Sequence, residues 1–222
     1  MHVRRLQSLI LAGALLAPLS FASARPRAQG DLLDRAAALW SKARTARATF
    51  EQTITNSLTG GTLTATGEYQ QQKPGKLSVS FSKPANERIV ADGKYLWLYL
   101  PSTTPGQVIR TSMTEGSSGM MDPTQFLNSP RARFIVVPAG TLAIGGRPTH
   151  AFTLTPKSKA GAPFQTATVW IDDADATVRQ FDVAENTGVQ RKVRLTSFKT
   201  NVAVDAGAFT FEVPAGARVV NH

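Results

Sequence analysis

Three histidines, no cysteine and scattered serines and aspartates are all that this chain offers to catalysis. His2 precedes an apolar leader and His222 is the last residue, which leaves His150 as the internal one. It shares a strand face with Phe152 and Leu154, where a structural role fits better than a base. A serine nucleophile of the hydrolase type needs Gly-x-Ser-x-Gly on a sharp strand-to-helix elbow. Gly116-Ser117-Ser118-Gly119 has neither that spacing nor that setting. Asp172, Asp173 and Asp175 suggest calcium, but an EF-hand loop needs glycine at its sixth position and glutamate at its twelfth. Thr177 and Val183 stand there, so a solvated turn is the reading. Without cysteine, thiolate zinc sites, iron–sulfur clusters and cysteine nucleophiles are excluded. Gly60-Gly61 and Gly145-Gly146 do not open helices and are turns rather than phosphate cradles. The expectation is a binding protein and not an enzyme, with no catalytic residue, metal or cofactor.

Binding must then rest on apolar surface, and Glu87 to Pro101 (ERIVADGKYLWLYLP) carries most of it. Asp92-Gly93 is a strong hairpin signal, read as a two-residue type I′ turn. In the strand that follows, Tyr95, Trp97 and Tyr99 point to one face and Leu96, Leu98 and Leu100 to the other. Both faces are apolar, so alternation does not say which looks inward.

The neighbouring elements follow from the same periodicities. Asp31 caps a helix running to about Arg47, with Leu32, Leu33, Ala36, Leu39, Trp40 and Ala43 on one stripe. From Ala48 the period changes to two. Strands are expected from Ala48, over 62–72, through Leu77, Val79 and Phe81, and over 107–112. Asp122-Pro123 opens a short helix over 125–128, stopped by Pro130. Met120, Met121, Phe126 and Leu127 around it suit either a satellite core or a lid, since methionine adapts to irregular partners and Gly116 and Gly119 permit movement. Five more strands follow, over 134–137, 149–155, 164–171, 177–184 and 189–198. A helical turn at 204–208 and a last short strand over 209–213 end the pattern. Recurrent turns and continuous antiparallel hairpins predict one large curved sheet.

The chain has 222 residues and a formal charge of +10, from 25 basic and 15 acidic residues. Arg4-Arg5, the apolar run 6–19 and Ala22-Ser23-Ala24 have the form of a secretory signal, too short to span a bilayer. Cleavage after Ala24 is expected, leaving residues 25–222 as a single domain exported to the periplasm. Basic residues stand singly rather than in a block, and no basic-aromatic ladder is present, so nucleic acid is not an expected partner.

Ala48-Thr49-Phe50-Glu51-Gln52, Lys73-Pro74 and the run from Ile89 through Asp92-Gly93-Lys94 to Tyr99 resemble the periplasmic outer-membrane lipoprotein carrier family, LolA. So do Phe152-Thr153-Leu154-Thr155-Pro156-Lys157, Val178-Arg179-Gln180-Phe181, and Val204-Asp205-Ala206-Gly207-Ala208-Phe209-Thr210-Phe211. The motifs occur in order along nearly all of residues 25–222. The resemblance implies a mainly β fold: an incomplete, half-open antiparallel barrel, with an N-terminal amphipathic helix and short lid helices covering a hydrophobic cavity. It implies a monomeric chaperone that binds the acyl chains of lipoproteins, accepts them from an inner-membrane ATP-driven release complex and delivers them to an outer-membrane lipoprotein receptor. In that frame Leu77, Val79, Phe81, Trp97 and Tyr99 line the sheet side of the cavity. Met120, Met121, Phe126 and Leu127 fill it from the lid. Family members commonly place an arginine before the proline that ends the second long strand, as a lid latch acting on backbone oxygens. Here that position is Lys73, a point charge without the planar fork. An alternative keeps the fold and changes the job, to a lipid-binding or lipid-sensing periplasmic module that hands nothing over.

Overall fold

The period-two segments assemble into one sheet of twelve strands, in the order β12-β6-β5-β4-β3-β2-β1-β11-β10-β9-β8-β7. The computed structural model describes residues 29–113, 123–162 and 164–222. The expected signal segment, residues 1–24, lies outside them. Strands β1 (Thr45–Asn56), β2 (Thr62–Gln72), β3 (Lys76–Lys83), β4 (Arg88–Asp92), β5 (Tyr95–Tyr99) and β6 (Gln107–Ser112) form one antiparallel meander. Strands β7 (Phe134–Ile144), β8 (Arg147–Pro156), β9 (Phe164–Asp172), β10 (Val178–Glu185) and β11 (Val189–Thr200) form a second. The two meanders join where β1 pairs with β11, from Ala46 opposite Thr200 to Asn56 opposite Val189. Strand β12 (Arg218–Asn221) returns to the far edge and pairs with β6 in parallel, the one exception to the antiparallel pattern among the described strands. The end strands β7 and β12 do not pair, so the barrel stays open.

The inner face carries the core. Ala46, Ala48, Phe50 and Gln52 of β1 alternate buried with exposed partners, and Tyr69, Leu77, Val79 and Ala91 continue that face on β2 to β4. Helix α1 (Gln29–Lys42) lays Leu32, Leu33, Ala36 and Trp40 onto it, with Leu39 half exposed. Helix α1 ends earlier than the apolar stripe predicts. Arg44 is claimed by the sheet: its N–H donates to Asn201 Oδ1 (2.9 Å) and its carbonyl accepts from Lys73 N–H (2.8 Å). Two further single-turn helices, α2 (Thr124–Leu127) and α3 (Pro130–Arg133), complete the cover, so Pro130 opens a turn instead of only closing one. Arg131 Nε donates to Asp34 (2.9 Å), tying α3 to α1.

Two local expectations are corrected. Among the residues of the β4–β5 turn only Gly93 has a positive φ (98°), so the turn is centred one residue late, on Gly93-Lys94. Asp92 is free of that role and closes the hairpin with its side chain, accepting from the N–H groups of Lys94 (2.8 Å) and Tyr95 (2.7 Å). Residues 210–213 form no strand. They follow the 3-10 turn Ala206–Phe209 across the outer face, where Arg88 Nη2 donates to the Ala208 carbonyl and Phe211 stacks on Trp97.

Asp172 departs from the solvated turn read in its sequence. Its side chain is 1% exposed. Burial pushes its carboxyl up, but bonds from Arg147, the Ala174 N–H and Arg179 outweigh that and hold it at about 2, against an ordinary 3.8. A depressed folded-state value means that the unfolded chain binds more protons between those limits. The contribution, on the order of 2 kcal/mol, is therefore present above pH 4 and lost as pH falls toward 2. Urea midpoints of the protein and of Asp172→Asn should differ most above pH 4 and converge by pH 2. A gap that is independent of pH would contradict this.

Candidate functional site

Beyond the reach of α1, the inner face of β1 to β5 is not filled. A cavity of about 390 Å3 lies against it, a size in the range of small-ligand sites. Leu96 and Leu98 of β5, Leu100 just after it and Ile89 of β4 form one wall, and Leu77 and Phe81 of β3 the floor. Ile54 and Leu63 close the end formed by β1 and β2. These positions are inner because of pairing parity: Val79 is opposite Ile89, Ile89 opposite Leu98, and Leu98 opposite Ile109. The lining is almost wholly apolar. The polar exceptions are Gln52 and Arg191 on one side, and Glu87 with Ser102 and Thr103 on the other. The site is suited to covering hydrocarbon.

The expected lining residues divide. Leu77 and Phe81 line the cavity, and Val79 shares their face but is fully buried in the core. Trp97 and Tyr99, expected to line the cavity, lie on the opposite face of the sheet. The reason is the C-terminal segment. Phe211 stacks on the Trp97 ring at 5.3 Å and 12°, Tyr95 packs edge-on at 5.9 Å, and Arg110 sits 5.4 Å over Trp97. Trp97 Nε1 donates to Asp92 Oδ2 (2.8 Å), so the indole N–H is satisfied on the outer face as well. The leucines of β5 are left for the inside.

Phe126 and Leu127 of α2 are buried in the main core rather than in the cavity. Phe126 packs 5.6 Å from Phe164 and 5.3 Å from Phe181. Met120 and Met121 lie outside the described residues. His150 is remote from the cavity lining; its Nδ1 is 2.5 Å from Asp173 Oδ1.

Lys73 stands at the end of β2, with its ammonium on the last turn of α1. Nζ donates to the Trp40 carbonyl and lies 4.5 Å from the centre of the Trp40 ring. A cation there meets the negative end of the helix dipole at a carbonyl that also accepts from the Ala43 N–H (3.2 Å). Trp40 in turn stacks on Phe198 of β11 at 6.0 Å. Lys73 thus links the end of β2 to the last turn of α1.

The site residues that periodicity did not single out are Leu96, Leu98, Leu100, Ile89, Gln52 and Arg191. The leucines were visible as one half of a doubly apolar strand. Gln52 and Arg191 carry no local signal, because they meet only through the β1–β11 pairing.

Fold and site together define a class: a half-open β-barrel with helices packed on its inner face and an apolar cavity beside them. The family described as outer membrane lipoprotein carrier protein LolA matches residues 41–212, and the chain belongs to that family. It is 28% identical to the outer-membrane lipoprotein carrier protein of Serratia proteamaculans (strain 568), over 95% of this chain and 96% of the relative. With the protein of the same description from Methylobacillus flagellatus it shares 26% identity, over 79% and 82% of the two chains. Among solved structures, an uncharacterized conserved protein from Thermus thermophilus superposes with a TM-score of 0.52 at 14% identity, over 87% of this chain and 98% of that one, a likeness of fold alone.

Proposed function

We propose that this protein is a periplasmic carrier of lipoproteins, which shelters their acyl chains between an inner-membrane ATP-driven release complex and an outer-membrane lipoprotein receptor. The observation that carries the reading is the apolar cavity of about 390 Å3 on the inner face of β1 to β5. Family membership supplies the cargo class. Residues 1–24 act as a cleaved export signal in this account, and the working form is a monomer that holds one lipoprotein.

Covering an acyl chain gains about 0.8 kcal/mol per CH₂. A full chain would then be held too tightly to hand over unless binding had to displace something. A chain longer than the unfilled space would have to push aside the helices next to it, with Phe126 and Leu127 packed on the sheet, Met120 and Met121 preceding them in the chain, and Lys73 holding the closed arrangement. A ligand that binds the open form is weakened by the fraction of protein that is closed. Removing the latch should therefore tighten binding. Lys73→Met is expected to raise the affinity for a diacylated lipopeptide about fivefold to tenfold while lowering stability by about 1 kcal/mol. Affinity at or below that of the unaltered protein, by titration calorimetry, would remove Lys73 from this role.

The function is tested by release. Spheroplasts supplied with ATP and the purified protein should yield a triacylated lipoprotein in the soluble fraction, in a one-to-one complex. Absence of release with a matched donor complex, alongside co-purified lipid, would favour a lipid-binding or lipid-sensing module instead.

A further inference from the structure

Among the described residues Arg191 is the one cation in the lining of an otherwise greasy cavity, and it is held in place rather than left in solvent. Its side chain is 17% exposed and that of Glu185 12%. Nε donates to Glu185 Oε1 (3.0 Å), with Nη2 2.9 Å from the same oxygen, and Nη1 donates to Gln52 Oε1 (3.1 Å). Gln52 is 5% exposed and comes from β1, Arg191 from β11, and Glu185 from the end of β10, so three strands fix the group.

The donors are not used up. A guanidinium carries five N–H groups and a primary amide two. Arg191 spends its bonds on one Glu185 oxygen and on the Gln52 oxygen, and with that oxygen occupied the Gln52 NH₂ has no acceptor among the described residues. The wall therefore offers spare hydrogen-bond donors at this point, in a lining that is otherwise largely apolar. The charge around it selects among acceptors. Arg191 is neutralised by Glu185, and the opposite wall holds the Glu87 carboxyl, which accepts from the Ser102 hydroxyl. One guanidinium against two carboxyl groups disfavours an anion and leaves a neutral carbonyl as the fitting ligand group.

We propose that Arg191 and Gln52 form a donor rung that takes the acyl ester carbonyl of a bound diacyl lipid, fixing how deep its chains enter the cavity. The inference rests on the carrier reading above and names the part of the ligand that reading leaves unspecified. Apolar walls grip a chain at any depth, whereas a carbonyl on this rung sets one register.

The test compares two probes on the purified full chain: a dipalmitoylglyceryl-cysteinyl peptide and its dihexadecyl ether analogue, which has the same chain length and no carbonyl. The ester should bind about tenfold more tightly, the scale of hydrogen bonds from a charged donor. Gln52→Leu should shrink the ratio, and the pair Arg191→Met with Glu185→Gln, which strands no carboxylate, should bring it close to one. Equal binding of ester and ether by the unaltered protein overturns the rung and leaves the carrier intact. Binding of neither probe overturns the carrier reading and the rung with it. Palmitate presents the other source of an acyl carbonyl oxygen, as a carboxylate; if it displaces the diester at equal concentration, the assignment to a neutral ester is overturned.

Discussion

Leu98→Glu is expected to weaken acyl-ligand binding about a hundredfold while the protein stays folded. Leu98 lies in the middle of the β5 wall, opposite Ile89 on one side and Ile109 on the other, with its side chain on the cavity. It is only partly buried, because the empty cavity takes the place of packing neighbours. A glutamate there keeps its water in the empty protein, so folding loses little. Bound hydrocarbon would strip that water, and burying an unpaired carboxylate costs several kcal/mol even after relaxation. About 3 kcal/mol corresponds to a hundredfold in affinity. Titration with a fluorescent diacylated peptide, alongside circular dichroism, reads both halves of the statement. Unchanged affinity in a folded variant would move the ligand site away from this wall.

Gly67→Ala should be among the most damaging single-methyl changes in the sheet. An added Cβ would stand 2.3 Å from the Ser80 carbonyl oxygen and 3.0 Å from two atoms of the Phe50 ring. The oxygen belongs to the paired backbone of β3, next to the register shift between Thr66 and Gly67, so it has little freedom to retreat. Phe50 is fully buried and packs edge-on against Phe81 (5.6 Å), which lines the cavity. Overpacking of this kind costs about 3 kcal/mol, which lowers Tm by about 6–12 °C in a domain of this size. Phe50→Leu relieves the ring contact but not the backbone one, so it should not rescue the variant. Recovery in the double mutant, or a midpoint unchanged by Gly67→Ala, would refute the argument.

Much of the sheet was legible because its strands are half buried. Over β2 the expected bounds, 62–72, match the structure, and the serine alternation of Leu77, Val79 and Phe81 reports a face that is inner throughout. The doubly apolar β5 is different. Local periodicity treats Trp97 and Leu98 alike, and what separates them is Phe211, more than a hundred residues away. Strand β12 was missed because Arg-Val-Val-Asn is too short to show a period, and its pairing partner is remote in sequence. Asp172 read as a solvated turn because Arg147 and Arg179 reach it from other strands. Lys73 stood out only through the resemblance to a family; its contact with the end of α1 is a tertiary fact.

The order of strands has a consequence for how the molecule breathes. The meander β1 to β6 that walls the cavity is flanked on one side by β11 and on the other by β12, both drawn from the second half of the chain. It has no free edge from which to fray. The long β7 pairs only with β8 and leaves a row of backbone groups unpaired, with Ile135, Val137 and Leu142 exposed. Amide hydrogens there should exchange through local opening, and those of β2 to β4 only through global unfolding. In a hydrogen–deuterium exchange time course β7 should therefore lose its protection well before the cavity wall does. Simultaneous loss across both would mean that the sheet opens as one unit. If β7 does exchange first, the binding wall is the more rigid part of the sheet, and any motion that admits a ligand has to come from outside that wall.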